Sequence, residues 1–322
     1  MIRIAILGAG GIAHKLARTM KSMENGPELY AVASRDKAKA EAFAAEFGVE
    51  KAYGAYEEML KDDRVDAVYV ATPHSHHYQH IMMCLEHGKH VLCEKAFTVN
   101  AKQAEEVCAK AREKGLVLAE AIWTRYMPSR AMIDRLMADG EIGEPRVLNA
   151  NLCYKIDEVP RIYRPELAGG ALLDVGVYTL NFASMAFGDD IARIDSSVVK
   201  FDTGVDKQES ITLHYADGKM AVLTASSTCI GDRHGVIFGT KGWLAVDNIN
   251  NPIVITRCVG DRVETFTVPA QLSGYEYEIS AFLDAIERRL PECPAMPHAE
   301  IVRIMSQMDA LRAQWDIVLP CE

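Results

Sequence analysis

The chain has 322 residues, 49% of them hydrophobic, which is enough to bury two cores of ordinary size. Charged residues make up 25%, and 35 basic against 45 acidic residues leave a formal net charge of -10. No cluster of Lys and Arg supplies the basic stripe that a phosphate backbone needs, so a nucleic-acid partner is excluded. No uninterrupted apolar run is long enough to cross a bilayer, so no membrane partner is expected. The 8 cysteines include no C-x-x-C pair and sit mostly in apolar runs, which fits a reduced, cytoplasmic setting.

The chain opens on MIRIAILGAGG, already a strand and a turn, so no signal peptide is expected. Residues 2–7 (IRIAIL) form an apolar run that stops at Gly8, and a helical pattern follows in IAHKLARTMKSM until Gly26-Pro27. The strand-like ELYAVAS leads into a helix, DKAKAEAFAAEFG, with a terminal glycine at 48. Then come VDAVYVATP (strand), HYQHIMMCLEHG (helix), HVLCE (strand), AKQAEEVCAKAREKG (helix) and LVLAEA (strand). Strands alternating with helices at this spacing predict a doubly wound parallel sheet, a Rossmann-type domain over residues 1–122.

From residue 145 the rhythm changes to strand runs separated by turns, with a β-hairpin expected over 206–228 around Ala216-Asp217-Gly218. Two helices, YEYEISAFLDAIERRL and HAEIVRIMSQMDALRAQW, close the chain. Residues 123–322 therefore read as a second, α+β domain on a mostly antiparallel sheet.

Gly8-Ala9-Gly10-Gly11-Ile12-Ala13 fits G-x-G-x-x-A between a strand and a helix. The first glycine makes the turn, the second admits a pyrophosphate, and small Ala13 lets the helix pack on the strand. At the end of the second strand, where an NAD site carries an acid, the chain reads Ser34-Arg35, with Asp36 placed to favour the next helix. A hydroxyl beside a guanidinium suits a 2'-phosphate, so NADP is favoured over NAD.

Ligands of such sheets bind outside the carboxyl ends of the strands. Residues 71–77 (ATPHSHH), 93–96 (CEKA) and 120–128 (EAIWTRYMP) converge on that edge, making Thr72, Pro73, His74, His76, Glu94, Lys95, Trp123 and Arg125 candidate cofactor contacts. Trp123 reads equally as core. Arg161, Tyr163 and Arg164 are either substrate contacts or a solvated loop. His74, His76, His77 and His80 have no acidic partner among them, so no metal is expected.

In GGALLDVGVYTLNFASMAFG (169–188), Asp174 and Tyr178 stand four apart on one helix face. A phenol can exchange a proton with a substrate hydroxyl where a nearby ammonium ion lowers its pKa. Taken alone, the pair reads as readily as a surface hydrogen bond beside a half-buried tyrosine.

In this order, the G-x-G-x-x-A turn, the ATP after the third strand, Glu94-Lys95 and Asp174-x-Gly176-x-Tyr178 resemble the family named for glucose-fructose oxidoreductase, inositol dehydrogenase and MocA. EAIWTRYMP and GGALLDVGVY look like its dihydrodiol dehydrogenase and xylose dehydrogenase branch. The resemblance runs over the whole chain. It implies an open-faced C-terminal sheet that binds substrate and makes a homodimer or higher homo-oligomer, and it puts Lys95, Asp174 and Tyr178 at the catalytic positions. The implied activity is NADP-dependent hydride transfer to or from a hydroxyl or carbonyl carbon of a sugar, cyclitol or cyclic diol, with CH–OH or dihydrodiol CH–CH donors. The alternative is a non-catalytic dinucleotide-binding sensor on the same fold, which has no need of those three residues together. Where the family reads Glu-Lys-Pro, position 96 is alanine. A cis bond before a residue other than proline is disfavoured, so a trans 95–96 bond is expected, with a cis bond enforced by the site as the alternative.

Overall fold

A computed structural model describes residues 1–322. The first strands and helices are β1 (Arg3–Leu7), α1 (Gly11–Ser22), β2 (Glu28–Ala33), α2 (Lys37–Phe47), β3 (Lys51–Tyr53) and α3 (Tyr56–Leu60). They continue with β4 (Ala67–Val70), α4 (His77–Glu86), β5 (His90–Glu94), α5 (Ala101–Lys114) and β6 (Leu118–Ala121). All six strands run parallel in the order β3-β2-β1-β4-β5-β6. The central strands are buried along nearly their whole length because helices cover both faces, which explains their unbroken apolar runs. The order reverses between β1 and β4, and that reversal opens a crevice at the carboxyl ends. Asp36 caps α2 by accepting from Ala38 N (3.1 Å) and Lys39 N (3.4 Å), and Gly48 ends the helix in the left-handed region at φ 63°. β3 and α3 were not expected from sequence: three and five residues are too few to show a period.

The chain then forms α6 (Pro128–Ala138), β7 (Pro145–Cys153), α7 (Pro160–Tyr163) and a π-helical turn (Leu172–Gly176) that runs into α8 (Val177–Phe187). β8 (Ile191–Lys200), β9 (Asp206–Tyr215), β10 (Met220–Ser226), β11 (Gly235–Gly239), β12 (Gly242–Val246), β13 (Val254–Val259) and β14 (Arg262–Thr267) follow. The helix α6 also escaped the sequence expectations; Pro128 at its first position suits a helix start as well as a boundary. The eight strands form one sheet, β14-β13-β12-β11-β7-β10-β9-β8, antiparallel except where β10 runs parallel to β7. The expected hairpin is β9–β10, with His214 opposite Met220. Residues Pro165–Phe187 have the length and mean apolarity of a membrane span, although Glu166 and Asp174 interrupt the run; most of that stretch is buried inside the protein, as a core helix requires.

The last helices are α9 (Glu276–Glu287) and α10 (His298–Gln314). Two compact units result, residues 1–126 with 271–305 and residues 127–270 with 306–322, so a single cut at 122 does not describe them. Ile279, Phe282 and Ala285 of α9 are fully buried in the same apolar cluster as Ile4, Ile6 and Leu16. An amphipathic stripe says that a helix packs, and leaves open which sheet it packs on.

Besides Glu300, which is ion-paired with Arg125, the first unit buries three glutamates: Glu94, Glu120 and Glu278. Glu278, on α9, finds no hydrogen-bond partner for either oxygen; burial first, then Glu94 and Glu120, push its pKa well above the usual range. Burial likewise raises Glu120 from 4.5 to about 8, against the opposing pull of Arg125 and of its bond from Phe97 N. Folded Glu120 thus keeps a proton that the unfolded chain releases near pH 4.5, and stability falls as pH rises through that window. Thermal melts of Glu120→Gln and the parent chain are expected to coincide in relative terms near pH 5 and to diverge in the variant's favour toward pH 8. Parallel pH dependences would show that Glu120 is already ionised in the fold.

Candidate functional site

The turn after β1 is shaped by its surroundings. Gly8 has φ +104°, its N–H donates to Ala33 O (2.9 Å), and an added Cβ would lie 2.9 Å from Ala71 O. Only glycine suits that point. A Cβ at Gly10 or Gly11 would meet nothing within 4 Å, so space stays open over the first turn of α1. Gly10 caps α1 without a side chain, leaving the first-turn N–H groups to an incoming anion. Ala13 is fully buried, as close packing of α1 requires. This cradle fits the pyrophosphate of a dinucleotide.

A cavity of about 390 Å³ opens beside it, lined by Gly8, Gly10, Ser34, Arg35, Thr72, Pro73 and His76. Ser34 Oγ accepts from Asp36 N (3.2 Å), and the Asp36 carboxylate is engaged in capping α2. The cationic groups at this wall are Arg35 and Lys39, the latter passed over in the sequence. Burial and, secondarily, Arg35 hold the His76 imidazole below its usual pKa, and burial draws His80 down to about 4. Both histidines are therefore neutral near pH 7, and His80 Nδ1 pairs with Thr72 Oγ1 (3.0 Å). Tyr56 and His80 also line the cavity; neither stood out in the sequence as a cofactor contact.

Lys95 follows directly on β5 and is half-buried. The 95–96 peptide is cis, which corrects the trans expectation. Two side chains contact the backbone there: His77 Nδ1 lies 2.8 Å from Ala96 O, and Phe97 N donates to Glu120 Oε1 (3.1 Å). His77 reaches this turn, although the sequence singled out His74 and His76 instead. His74 is buried, 5.7 Å ring to ring from His77.

Other expected cofactor contacts have protein partners within the first unit. The Glu94 carboxylate accepts from the Tyr69 hydroxyl, a buried pair between β5 and β4. Trp123 stacks on Tyr275 (4.4 Å between rings), and Arg125 forms a buried ion pair with Glu300 (2.7 Å). Tyr275 and Glu300 lie some 150 or more residues away in sequence from Trp123 and Arg125, and no local signal announces them.

In the second unit, Asp174 lies in the π-helical turn and Tyr178 in the first turn of α8, both buried. Asp174 Oδ1 accepts from Arg161 Nη1 (2.5 Å), which resolves Arg161 as its partner. Leu172 N donates to Asp206 Oδ2 (2.6 Å), and an added Cβ at Gly176 would lie 2.6 Å from Glu209 Oε1. Two buried β9 carboxyls thus back the turn that carries Asp174. Burial raises Asp206 to about 6 and Glu209 well above the carboxylate range.

Residues 2–122 match the oxidoreductase family with an NAD-binding Rossmann fold, and residues 131–245 match the GFO/IDH/MocA C-terminal domain. The chain is 34% identical to trans-1,2-dihydrobenzene-1,2-diol dehydrogenase of Mus musculus, covering 99% of this chain and 98% of that one. The Homo sapiens enzyme of the same name is 31% identical over the same shares. Among solved structures, the 3-ketoreductase KijD10 of Actinomadura kijaniata, in complex with NADP and TDP-benzene, superposes with a TM-score of 0.90 at 30% identity over 97% of each chain. Aldose-aldose oxidoreductase from Caulobacter crescentus, at 21% identity and a TM-score of 0.87, shares the fold. The chain belongs to the GFO/IDH/MocA family of NAD(P)-dependent oxidoreductases.

Proposed function

We propose that the chain is an NADP-dependent dehydrogenase or reductase that interconverts a hydroxyl and a carbonyl on a sugar, cyclitol or cyclic diol. The observation that carries the cofactor preference is the wall of the cavity. Asp36, the nearest acid, is engaged by α2, while Arg35 and Lys39 line the cavity beside Ser34. That arrangement suits a 2'-phosphate and lacks the free carboxylate that holds a 2'-hydroxyl. The relatives' names support the substrate class: a cyclic dihydrodiol in the vertebrate enzymes and a keto group in the bacterial reductase.

NADP, when bound, supplies the hydride acceptor or donor at nicotinamide C4. Tyr178 Oη takes the proton of the substrate hydroxyl during oxidation and returns it to the carbonyl oxygen during reduction. Lys95 Nζ serves in this scheme as the hydrogen-bond donor to the substrate oxygen. Asp174, held by Arg161, orients the polar groups around Tyr178. A homodimer through the eight-stranded sheet is part of this proposal, supported by the exposed apolar side chains of Val199, Val222, Phe238 and Val263 on its strands. A cytoplasmic setting is supported by eight free thiols.

Three outcomes are expected. Arg35→Ala should raise the KM for NADP about 10- to 100-fold, the worth of a charge-assisted bond to phosphate, while leaving that for NAD nearly unchanged; equal NADP affinity in both proteins removes the assignment. In steady-state assays on a trans-diol or aldose substrate, Tyr178→Phe and Lys95→Met should each lower kcat by about 100-fold or more with NADP binding retained. Near-normal turnover in both variants would sink the catalytic scheme. Light scattering of the purified chain should give the mass of a dimer; a monomer at all concentrations rejects the sheet interface.

A further inference from the structure

We propose that His77 and Glu120 are positioning residues that hold the turn bearing Lys95 in fixed relation to the cofactor-binding turn after β4. The inference rests on the reading of Lys95 as catalytic. Residues 95–98 lie beyond the end of β5 and before α5, so the strand ladder no longer supplies partners for their backbone. Ala96 and Phe97 are nevertheless fully buried, and buried backbone groups must be paired. Side chains do the pairing. His77, the first residue of α4 and 0% exposed, places Nδ1 2.8 Å from Ala96 O and Nε2 2.8 Å from Thr72 O. Glu120, at the carboxyl end of β6 and 2% exposed, accepts from Phe97 N at 3.1 Å.

Thr72 lines the cofactor cavity, so one imidazole touches both the cavity wall and the lysine turn. Both of its partners are acceptors: a protonated ring donates to both carbonyls, whereas the neutral ring, which burial favours by drawing the pKa down to about 4, donates to one and packs against the other. Glu120 secures the same turn from the neighbouring strand. A shift of about 1 Å in a catalytic group placed this way costs about 100-fold in rate. A buried histidine that only completes the core would affect stability and nothing else.

The test uses the full chain and four readouts: NADPH affinity by fluorescence titration, kcat, melting temperature, and hydrogen exchange of peptides spanning residues 70–76 and 94–99. His77→Leu, assayed well below its melting point, is expected to weaken NADPH binding several-fold and lower kcat by about 100-fold. Exchange should speed up in both peptides and not in the other strands. His77→Gln, which restores an N–H donor, should recover part of each loss. Glu120→Ala should speed exchange at 94–99 alone and lower kcat, and Glu120→Gln, which keeps an acceptor for Phe97 N, should lose less. If His77→Leu lowers only the melting temperature, or if the two Glu120 variants behave alike, the positioning role is wrong. If Lys95→Met keeps full turnover, the catalytic reading falls, while the exchange and affinity results still decide whether the two turns are coupled.

Discussion

A strand buried on both faces can present a charge only where it ends, and in the six-stranded sheet that restriction decides where the chemistry goes. β1, β4 and β5 are apolar along nearly their whole length because helices cover both sides. Polar residues therefore collect at the carboxyl edge: Gly8 to Gly10 after β1, Ser34 and Arg35 after β2, Thr72 to His77 after β4, Lys95 after β5. The reversal of strand order between β1 and β4 opens that edge into the cavity. A dinucleotide cradle and a lysine turn on adjacent strands follow from one topological fact.

Behind the edge, the same burial creates an electrostatic problem. Glu94, Glu120 and Glu278 are withdrawn from water together, and each raises the pKa of a neighbour. The Tyr69 hydroxyl serves Glu94, Phe97 N serves Glu120, and Glu278 is left to its proton. Holding Glu120 and Glu278 neutral avoids the cost of unpaired buried charge. In the second unit Asp206 and Glu209 lie beneath the turn that carries Asp174; burial keeps Glu209 protonated, and Asp206 caps the turn's backbone. In both units a buried acid supports a turn bearing a proposed catalytic group.

Local features of the site were legible in the sequence. The spacing of Gly8, Gly10 and Ala13 reports a strand–turn–helix because each position has a steric reason, and Ser34-Arg35 reports the charge at the next strand end. What depended on distant partners was hidden. Arg125 belongs to Glu300 and Trp123 to Tyr275, pairs formed only when the chain returns to the first unit after residue 270. His77 is indistinguishable from His74 and His76 until the turn before α4 decides which ring faces Ala96. The cis 95–96 peptide was hidden for a related reason, since alanine carries no local preference for it. β3 and α3 were too short to show a period.

The central claim is that this chain moves a hydride between NADP and a carbinol carbon of a small cyclic or sugar-like polyol. The most direct measurement mixes the purified chain with NADP and a panel of trans-diols and aldoses deuterated at the carbinol carbon, and follows the label by NMR. The account predicts deuterium at C4 of the reduced nicotinamide with at least one of these substrates, and loss of that transfer in Tyr178→Phe. Tight NADP binding with no label transferred from any of them would contradict it.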